Sequence, residues 1–173
     1  MKKLFVFFAV TFFATVAMAQ TAEEYYQKGR EAYVAKNYTE GITYLEKAGN
    51  MGHVEAQFIL GLLYKSGVGV DKDMQKCVKW WEKAANQGKL EAQTRVGLCY
   101  AEGEGVPKDQ KKAFYWYKKA ADKGFADAQC FLAAYYYDGV VVAKDRKKAI
   151  ELFKKAAAQG NKEAIEMLKQ LGQ

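Results

Sequence analysis

The chain has 173 residues, with 27 lysines and arginines against 20 aspartates and glutamates and a formal charge of +7. Three cysteines are too few for a disulfide scaffold, and one serine with one histidine argues against a serine-hydrolase triad. The positive charge favours anionic surfaces but identifies no partner.

The first residues have the pattern of a secretory signal peptide. Lys2 and Lys3 precede an apolar run, and the segment 17–19 is an A-x-A cleavage signature. The run is shorter than a membrane-spanning helix requires, and Gln20 stands where a bacterial lipoprotein carries its cysteine. We predict that residues 1–19 are a cleaved signal peptide, with an uncleaved anchor as the alternative. The protein is then exported, periplasmic or secreted, with no membrane span after cleavage.

Internal repeats organise the rest of the chain. Two residue types recur every 36 positions, namely Gly52, Gly88, Gly124 and Gly160, and Ala56, Ala92, Ala128 and Ala164. The period predicts repeats over 21–52, 53–88, 89–124 and 125–160, followed by a capping helix over 161–173. Because one amphipathic helix pair cannot bury its apolar stripe alone, neighbouring repeats must stack.

Each repeat contains the signals of two helices. The first helix starts after the period-marking glycine, has an acidic residue in its first turn and stops before a glycine-rich loop. These acidic residues are Glu55, Glu91, Asp127 and Glu163. The second helix begins at a capping residue and ends at the next period-marking glycine, where we expect a left-handed C-cap. The capping residues are Asn37, Asp73, Asp109 and Asp145.

The aromatic stretch KKAFYWYKKAADKG, residues 111–124, permits two interpretations. Rings between lysines suit a platform for single-stranded nucleic acid. The same residues at helical spacing suit the apolar and wet faces of one helix. Across the repeats, the positions of Phe114, Trp116 and Tyr117 are apolar, whereas that of Tyr115 also holds Thr, Lys and Glu. We predict that three rings are core, that only Tyr115 is exposed, and that the partner is not a nucleic acid.

The pattern AxxxLGxxYxxGxGVxxDxxKAxxWYxKAAxxG recurs, with few changes, over 56–88 and 92–124. It resembles the Sel-one-like repeat (SLR), a longer member of the tetratricopeptide-like superfamily. The third repeat departs at Ala133 and Val141, where glycines are usual, and the first looks more like an ordinary tetratricopeptide unit. The resemblance implies an all-α, right-handed α-solenoid of stacked helix-turn-helix repeats, with about nine helices in a single domain over 20–173.

By analogy with tetratricopeptide units, the first helices should line the concave side of the stack. A mixed lining of aromatic, aliphatic and cationic side chains suits an extended peptide or a partner helix. The side chains expected in this groove are Tyr26, Arg30, Phe58, Leu62, Lys65, Thr94, Leu98, Cys130, Ala134 and Tyr137. The alternative for each is that it packs against neighbouring repeats.

No residue pattern indicates a catalytic site, a cofactor site or a metal site. Ser66 lies outside any G-x-S-x-G motif, and His53 occupies a helix start where the other repeats have Lys, Phe and Asn, which suits a tolerant surface position. Cys77, Cys99 and Cys130 lack metal-binding spacing. Cys77 and Cys99 flank one turn at equal distances, so a disulfide between them competes with the interpretation of all three as apolar fillers.

The sequence therefore predicts a non-catalytic, exported interaction module or scaffold that binds a peptide or partner protein on its concave face, since SLR proteins generally resemble adaptors. One alternative is an envelope hydrolase of the β-lactamase-like type, which some SLR relatives suggest and the scarcity of catalytic side chains opposes. The other is nucleic-acid binding, which predicts a steep dependence of affinity on salt.

Overall fold

The computed structural model describes residues 21–173, and the predicted signal peptide lies outside them. This range contains nine helices and no strand, so the predicted all-α class of helix-turn-helix repeats is confirmed. The helices are α1 (residues 21–34), α2 (Tyr38–Asn50), α3 (Val54–Ser66), α4 (Met74–Asn86), α5 (Leu90–Glu102), α6 (Gln110–Ala121), α7 (Ala126–Asp138), α8 (Arg146–Ala158) and α9 (Lys162–Gln170).

The helices divide into two compact units. The N-terminal unit ends at Ala84 and the C-terminal unit begins at Ala85, so the division falls inside α4. In the N-terminal unit, α2 packs against α3. In the C-terminal unit, the helices from α5 to α9 each pack against the next along the chain. This packing of consecutive helices is what stacked helix pairs require. The single domain predicted for 20–173 stays a prediction.

Aspartate side chains start the second helices of the last three repeats. Asp73, Asp109 and Asp145 each accept a backbone N–H from the first turn of α4, α6 and α8, at 2.9 to 3.0 Å. Asn37 holds the same position before α2, but its side chain makes no capping hydrogen bond. Since such a cap contributes about 1 kcal/mol, α2 lacks a contribution that its counterparts have.

The loops inside the last three repeats share one backbone form. The glycines that end α3, α5 and α7 are left-handed, with φ from 73° to 82°. Two residues later the chain returns to that region, at Gly69, Gly105 and Val141. Val141 has φ of 68°, so it keeps the loop form of the pattern although a β-branched side chain disfavours it.

Within each of these repeats, a small residue of the first helix packs in the core with a large aromatic ring of the second helix. The pairs are Gly61 with Trp81, Gly97 with Tyr117, and Ala133 with Phe153. The closest approach is at Gly61, because an added Cβ would overlap the indole of Trp81. The rings of all three pairs are buried. These contacts fix how tightly the two helices of a repeat can pack.

Buried glutamines join successive helices at a second place. The side-chain amide of Gln57 donates to the carbonyl oxygen of Gly49 at 2.8 Å, and that of Gln93 donates to Ala85 at 2.9 Å. Each acceptor belongs to the last turn of the preceding helix and also accepts the backbone N–H three residues further on, from Gly52 or Gly88. The glutamines thereby link a helix end to the next repeat.

The aromatic stretch of α6 divides largely as predicted. Trp116 and Tyr117 are buried, and Tyr115 is 55% exposed. Phe114 is only half-buried, and its ring centroid lies 6.0 Å from that of Tyr135. The Lys119 ammonium lies 5.0 Å from the centroid of Trp116, so its positive charge interacts with the face of this buried ring. The stretch is therefore a packed amphipathic helix with one exposed ring.

Candidate partner-binding surface

The first-helix surface of the N-terminal unit is filled at its start by a cluster around His53. The imidazole stacks on Tyr26 with centroids 4.2 Å apart, and the Arg30 guanidinium lies 5.7 Å from the Tyr26 centroid. The Nδ1 atom of His53 accepts the Ala56 N–H at 3.1 Å, and Nε2 lies 2.8 Å from a Glu23 carboxylate oxygen. His53 is therefore the N-cap of α3, not the tolerant surface position that its sequence column suggested.

Glu23 is held ionised by this cluster. The hydrogen bond from Gln27, followed by that from His53, lowers the pKa of Glu23. Both imidazole nitrogens of His53 therefore serve the structure, since Nδ1 caps the start of α3 and Nε2 contacts the Glu23 carboxylate. Both predicted groove residues here, Tyr26 and Arg30, contact neighbours in the cluster as well as solvent.

Further along the N-terminal unit, the predicted groove residues gather around Trp81. The Trp81 indole N–H donates to the carbonyl oxygen of Phe58 at 3.2 Å, and the two rings lie 6.5 Å apart. The Lys65 ammonium lies 5.9 Å from the Trp81 ring, and Leu62 is half-buried. Phe58 and Lys65 therefore pack on the core ring of their own repeat.

The C-terminal unit has an open groove over α5, α7 and α9. Two adjoining cavities of about 230 Å³ each share Asp127 and Phe131. We call the one between α5 and α7 the apolar cavity; its other lining residues are Glu91, Thr94, Arg95, Leu98 and Phe125. We call the one between α7 and α9 the acidic cavity; its other lining residues are Cys130, Asn161 and Glu163.

The structure separates the predicted groove residues of the C-terminal unit into two sets. Thr94 and Leu98 line the apolar cavity, and Cys130 lines the acidic one. Ala134 and Tyr137 line neither. Tyr137 packs against the buried cluster of the last repeat, and the Lys144 ammonium lies 5.5 Å from its ring. Their use as partner contacts stays a prediction, as it does for the residues of the N-terminal unit.

Sequence reasoning missed the residues that the two cavities share. Phe131 is 37% exposed, and its ring stacks on Tyr117 with centroids 4.9 Å apart and an interplanar angle of 19°. It lies one position beyond Cys130 and so falls outside the columns taken from the tetratricopeptide analogy. Asp127 belongs to the acidic column that was explained by the helix dipole alone. The signal in the sequence that could have identified this surface is an aromatic residue close to the acidic position of the repeat.

The acidic cavity contains two carboxylates that form no ion pair with the described residues. Asn161 donates its side-chain N–H to Asp127 at 2.8 Å. Among the described residues, no lysine or arginine forms an ion pair with Asp127 or Glu163. Burial, followed by the carboxylates of Glu163 and Asp127, raises the pKa of the Cys130 thiol to about 11. The thiol therefore stays protonated at neutral pH and is a poor nucleophile.

Within residues 21–173, other reactive side chains serve local structure. The Ser66 hydroxyl donates to the carbonyl oxygen of Leu63 at 3.2 Å and accepts the Val68 N–H at 3.4 Å. None of the three cysteines forms a disulfide there, which favours the interpretation of Cys77 and Cys99 as buried apolar fillers over a bridge between them. That stretch holds no group of acidic, histidine and cysteine side chains fit for a metal ion. None of its helices has the length and apolar character to cross a membrane.

The repeat model of the Sel1 family matches four times, over residues 15–53, 54–89, 90–125 and 126–161. The chain belongs to the Sel1 repeat family. The first repeat, which looked like an ordinary tetratricopeptide unit, is matched as a Sel1 repeat too. Sel1 repeat proteins generally mediate protein–protein interactions, and the family is typically non-catalytic. No curated protein sequence matches the chain.

Three solved structures are similar to this Sel1 repeat chain. A protective antigen of uropathogenic Escherichia coli strains, which displays an SLR fold, is 32% identical with a TM-score of 0.80. The match covers 85% of this chain and 32% of the antigen. A Sel1 repeat protein from Oxalobacter formigenes is 34% identical with a TM-score of 0.72, over 80% of this chain and 57% of that one. The chain thus spans about a third and somewhat over half of these two relatives.

The third structure is the cysteine-rich protein B of Helicobacter pylori. It is 25% identical with a TM-score of 0.53, over 66% of this chain and 89% of that one. The predicted α-solenoid class agrees with these SLR neighbours.

Proposed function

We propose that this protein is an exported, non-catalytic interaction module whose partner binds the first-helix surface of the C-terminal unit. The observation that carries the proposal is the groove formed by the apolar and acidic cavities around Phe131. An aromatic ring that is partly exposed yet held by stacking on a core ring is well suited as an anchor. No observation within residues 21–173 favours the envelope-hydrolase alternative.

Export rests on the sequence of the first residues, which the structure does not describe. A positive n-region, a short apolar run and an A-x-A site together predict removal of residues 1–19. We expect N-terminal sequencing of protein from fractionated bacteria to begin at Gln20, in the periplasm or the medium. Recovery of the full-length chain from the cytoplasm would contradict export and leave the interaction proposal intact.

The interaction proposal is tested by cross-linking in the native envelope followed by affinity capture. We expect the double variant Leu98→Ala/Phe131→Ala to lose captured proteins that the unaltered chain retains, because both side chains line the apolar cavity. Tyr115→Ala is the matched control, since this exposed aromatic lies on α6, outside the groove. An identical set of proteins from the double variant and the unaltered chain would show that the proposed surface is wrong.

A further inference from the structure

Building on the proposed function, we infer that the C-terminal groove binds an extended peptide segment in which an arginine lies two residues from a bulky apolar residue. The arginine enters the acidic cavity, and the apolar side chain enters the apolar cavity. The partner class is thus a protein with an exposed, positively charged strand or tail. The charges, rings and spacing of the two cavities each supply one part of this inference.

The acidic cavity selects a cation. Asp127 and Glu163 place two carboxylates in it, and the described residues supply no lysine or arginine to pair with either. Two carboxylates without an ion pair around one small concavity attract a cation more strongly than either does alone. Cys130 reports the same field, because those carboxylates help to raise the pKa of its thiol.

A guanidinium suits this cavity better than an ammonium. Its planar fork can donate to two carboxylates at once, and its flat face can lie against an aromatic ring. Phe131 provides that ring at the wall shared by both cavities. One face of Phe131 is occupied by Tyr117, and the ring remains 37% exposed. The stacked pair gives the ring a fixed position against which a guanidinium can settle.

The apolar cavity accepts a hydrocarbon side chain. Its lining carries both signs of charge, because Arg95 and Asp127 belong to it together with Glu91, which pairs with Lys89 at 3.7 Å. Thr94, Leu98 and two phenylalanine rings complete the lining. A leucine-sized group gains free energy by leaving water against these rings and Leu98.

The distance between side chains on one face of a strand matches adjoining cavities. In an extended peptide, residues i and i+2 point to the same side and lie about 7 Å apart. Because the two cavities share Asp127 and Phe131, neighbouring side chains on one face can fill both at once. Residues i and i+1 point to opposite sides and cannot do so.

The test is fluorescence anisotropy with the full mature chain and a labelled glycine–serine heptapeptide that has leucine at position three and arginine at position five. We expect binding that weakens about tenfold when citrulline, which is neutral and similar in shape, replaces the arginine. A peptide with the same composition but with leucine and arginine adjacent should bind about tenfold more weakly as well. Equal affinity for all three peptides would overturn the inference.

Charge variants of the protein assign the effect to the acidic cavity. We expect Asp127→Asn and Glu163→Gln each to weaken binding about fivefold or more, while Glu151→Gln on the exposed face of α8 leaves it unchanged. Circular dichroism of each variant confirms that the helices are retained. If all three substitutions weaken binding equally, general charge attraction explains the affinity and the site is refuted.

The two proposals fail in different ways. If the heptapeptide does not bind but Leu98→Ala/Phe131→Ala still loses its captured proteins, the groove is a partner site of another chemistry. If the heptapeptide binds as expected while capture from the envelope is unchanged by that double variant, the pocket recognises arginine peptides but the cellular partner docks elsewhere.

Discussion

The two compact units handle the same contact between paired helices with different residues. In the N-terminal unit Gly61 lies beneath the indole of Trp81, whereas in the last repeat of the C-terminal unit Ala133 shares the core with Phe153. All of these helices have ordinary helical backbones at that position, so the glycine is not there for a turn. The size of the small residue therefore varies with the ring opposite it: glycine lies opposite tryptophan, and alanine lies opposite the smaller phenylalanine.

The absence of a Cβ at Gly61 allows the indole of Trp81 to approach the helix closely. Trp81 approaches the α3 backbone closely enough for its N–H to donate to the carbonyl oxygen of Phe58 at 3.2 Å. Tyr117, in the intermediate repeat, has a hydroxyl that is buried without a hydrogen-bond partner among the described residues. Phe153 has no polar atom to satisfy. Of the two rings that carry a polar atom, only Trp81, which approaches the helix most closely, has a hydrogen-bond partner for it among the described residues.

Gly61→Ala should have the largest effect on this contact. An added Cβ overlaps the buried indole of Trp81, and a rigid ring at 1% exposure has little room to move. We expect a loss of about 3 kcal/mol in the free energy of unfolding, at the upper end for overpacking. Guanidinium unfolding followed by tryptophan fluorescence and circular dichroism measures it. A loss below about 0.5 kcal/mol would show that the ring is not confined by the helix backbone.

Gly97→Ala should cost less, because the added Cβ would lie 2.7 Å from the edge of the Tyr117 ring. We expect a loss of about 1.5 kcal/mol. Tyr117→Phe alone should be neutral or slightly stabilising, since it removes a buried hydroxyl that has no partner among the described residues.

A double-mutant cycle joins these two changes. Gly97→Ala/Tyr117→Phe recreates the alanine–phenylalanine pair of the last repeat, so the cost of Gly97→Ala should fall by about 0.5 kcal/mol in the phenylalanine background. The readout is the urea midpoint of each of the four proteins. Strict additivity would mean that the glycine and the ring opposite it are not matched to each other.

Ala133→Gly reverses the comparison in the last repeat. Here the smaller residue is expected to destabilise the protein by about 1 kcal/mol, because glycine is a poor helix former and removes a fully buried methyl group. Thermal unfolding by circular dichroism provides the measurement. Stabilisation by this change would indicate that Phe153 presses against the methyl group of Ala133 and that every repeat prefers glycine.

Most of the helix pattern could be predicted from the sequence, because aligned repeats expose which positions tolerate charge. Tyr115 is the clear example, since its column alone holds polar residues within an aromatic run. The buried glutamines were missed because a polar letter does not reveal that the carbonyl oxygen of Gly49, at the end of the preceding helix, lies within hydrogen-bond distance of the Gln57 amide. The partner-binding groove stays a prediction, and only Thr94, Leu98 and Cys130 of its residues line the two cavities of the C-terminal unit.

The reason lies in side-chain size within a single column. Phe58 packs over Trp81 in the N-terminal unit, whereas its counterparts Thr94 and Cys130 are small. Small side chains leave cavities beside them, and the next column, occupied by Phe131, then becomes part of the surface. The analogy with tetratricopeptide units identifies the column of residues that faces the groove, but it gives no information on this change in side-chain size. Only the packed structure shows which neighbour fills or frames the space.

Val141→Gly is the smallest change expected and extends the comparison to the loops. At Gly69 of the N-terminal unit an added Cβ would lie 2.5 Å from Tyr38, and φ is 76°, so both space and conformation require glycine. Val141 has the same left-handed backbone with φ of 68°, but its side chain is 44% exposed, so conformation alone is unfavourable.

Relief of about 1 to 2 kcal/mol of strain in Val141→Gly is partly offset by the greater freedom of glycine in the unfolded chain. We therefore expect a gain of about 0.5 to 1 kcal/mol in the free energy of unfolding, measured by urea denaturation. Val142→Gly, one residue further on, serves as the control and should destabilise, and a loss of stability from Val141→Gly would mean that the valine side chain makes contacts worth more than its strain.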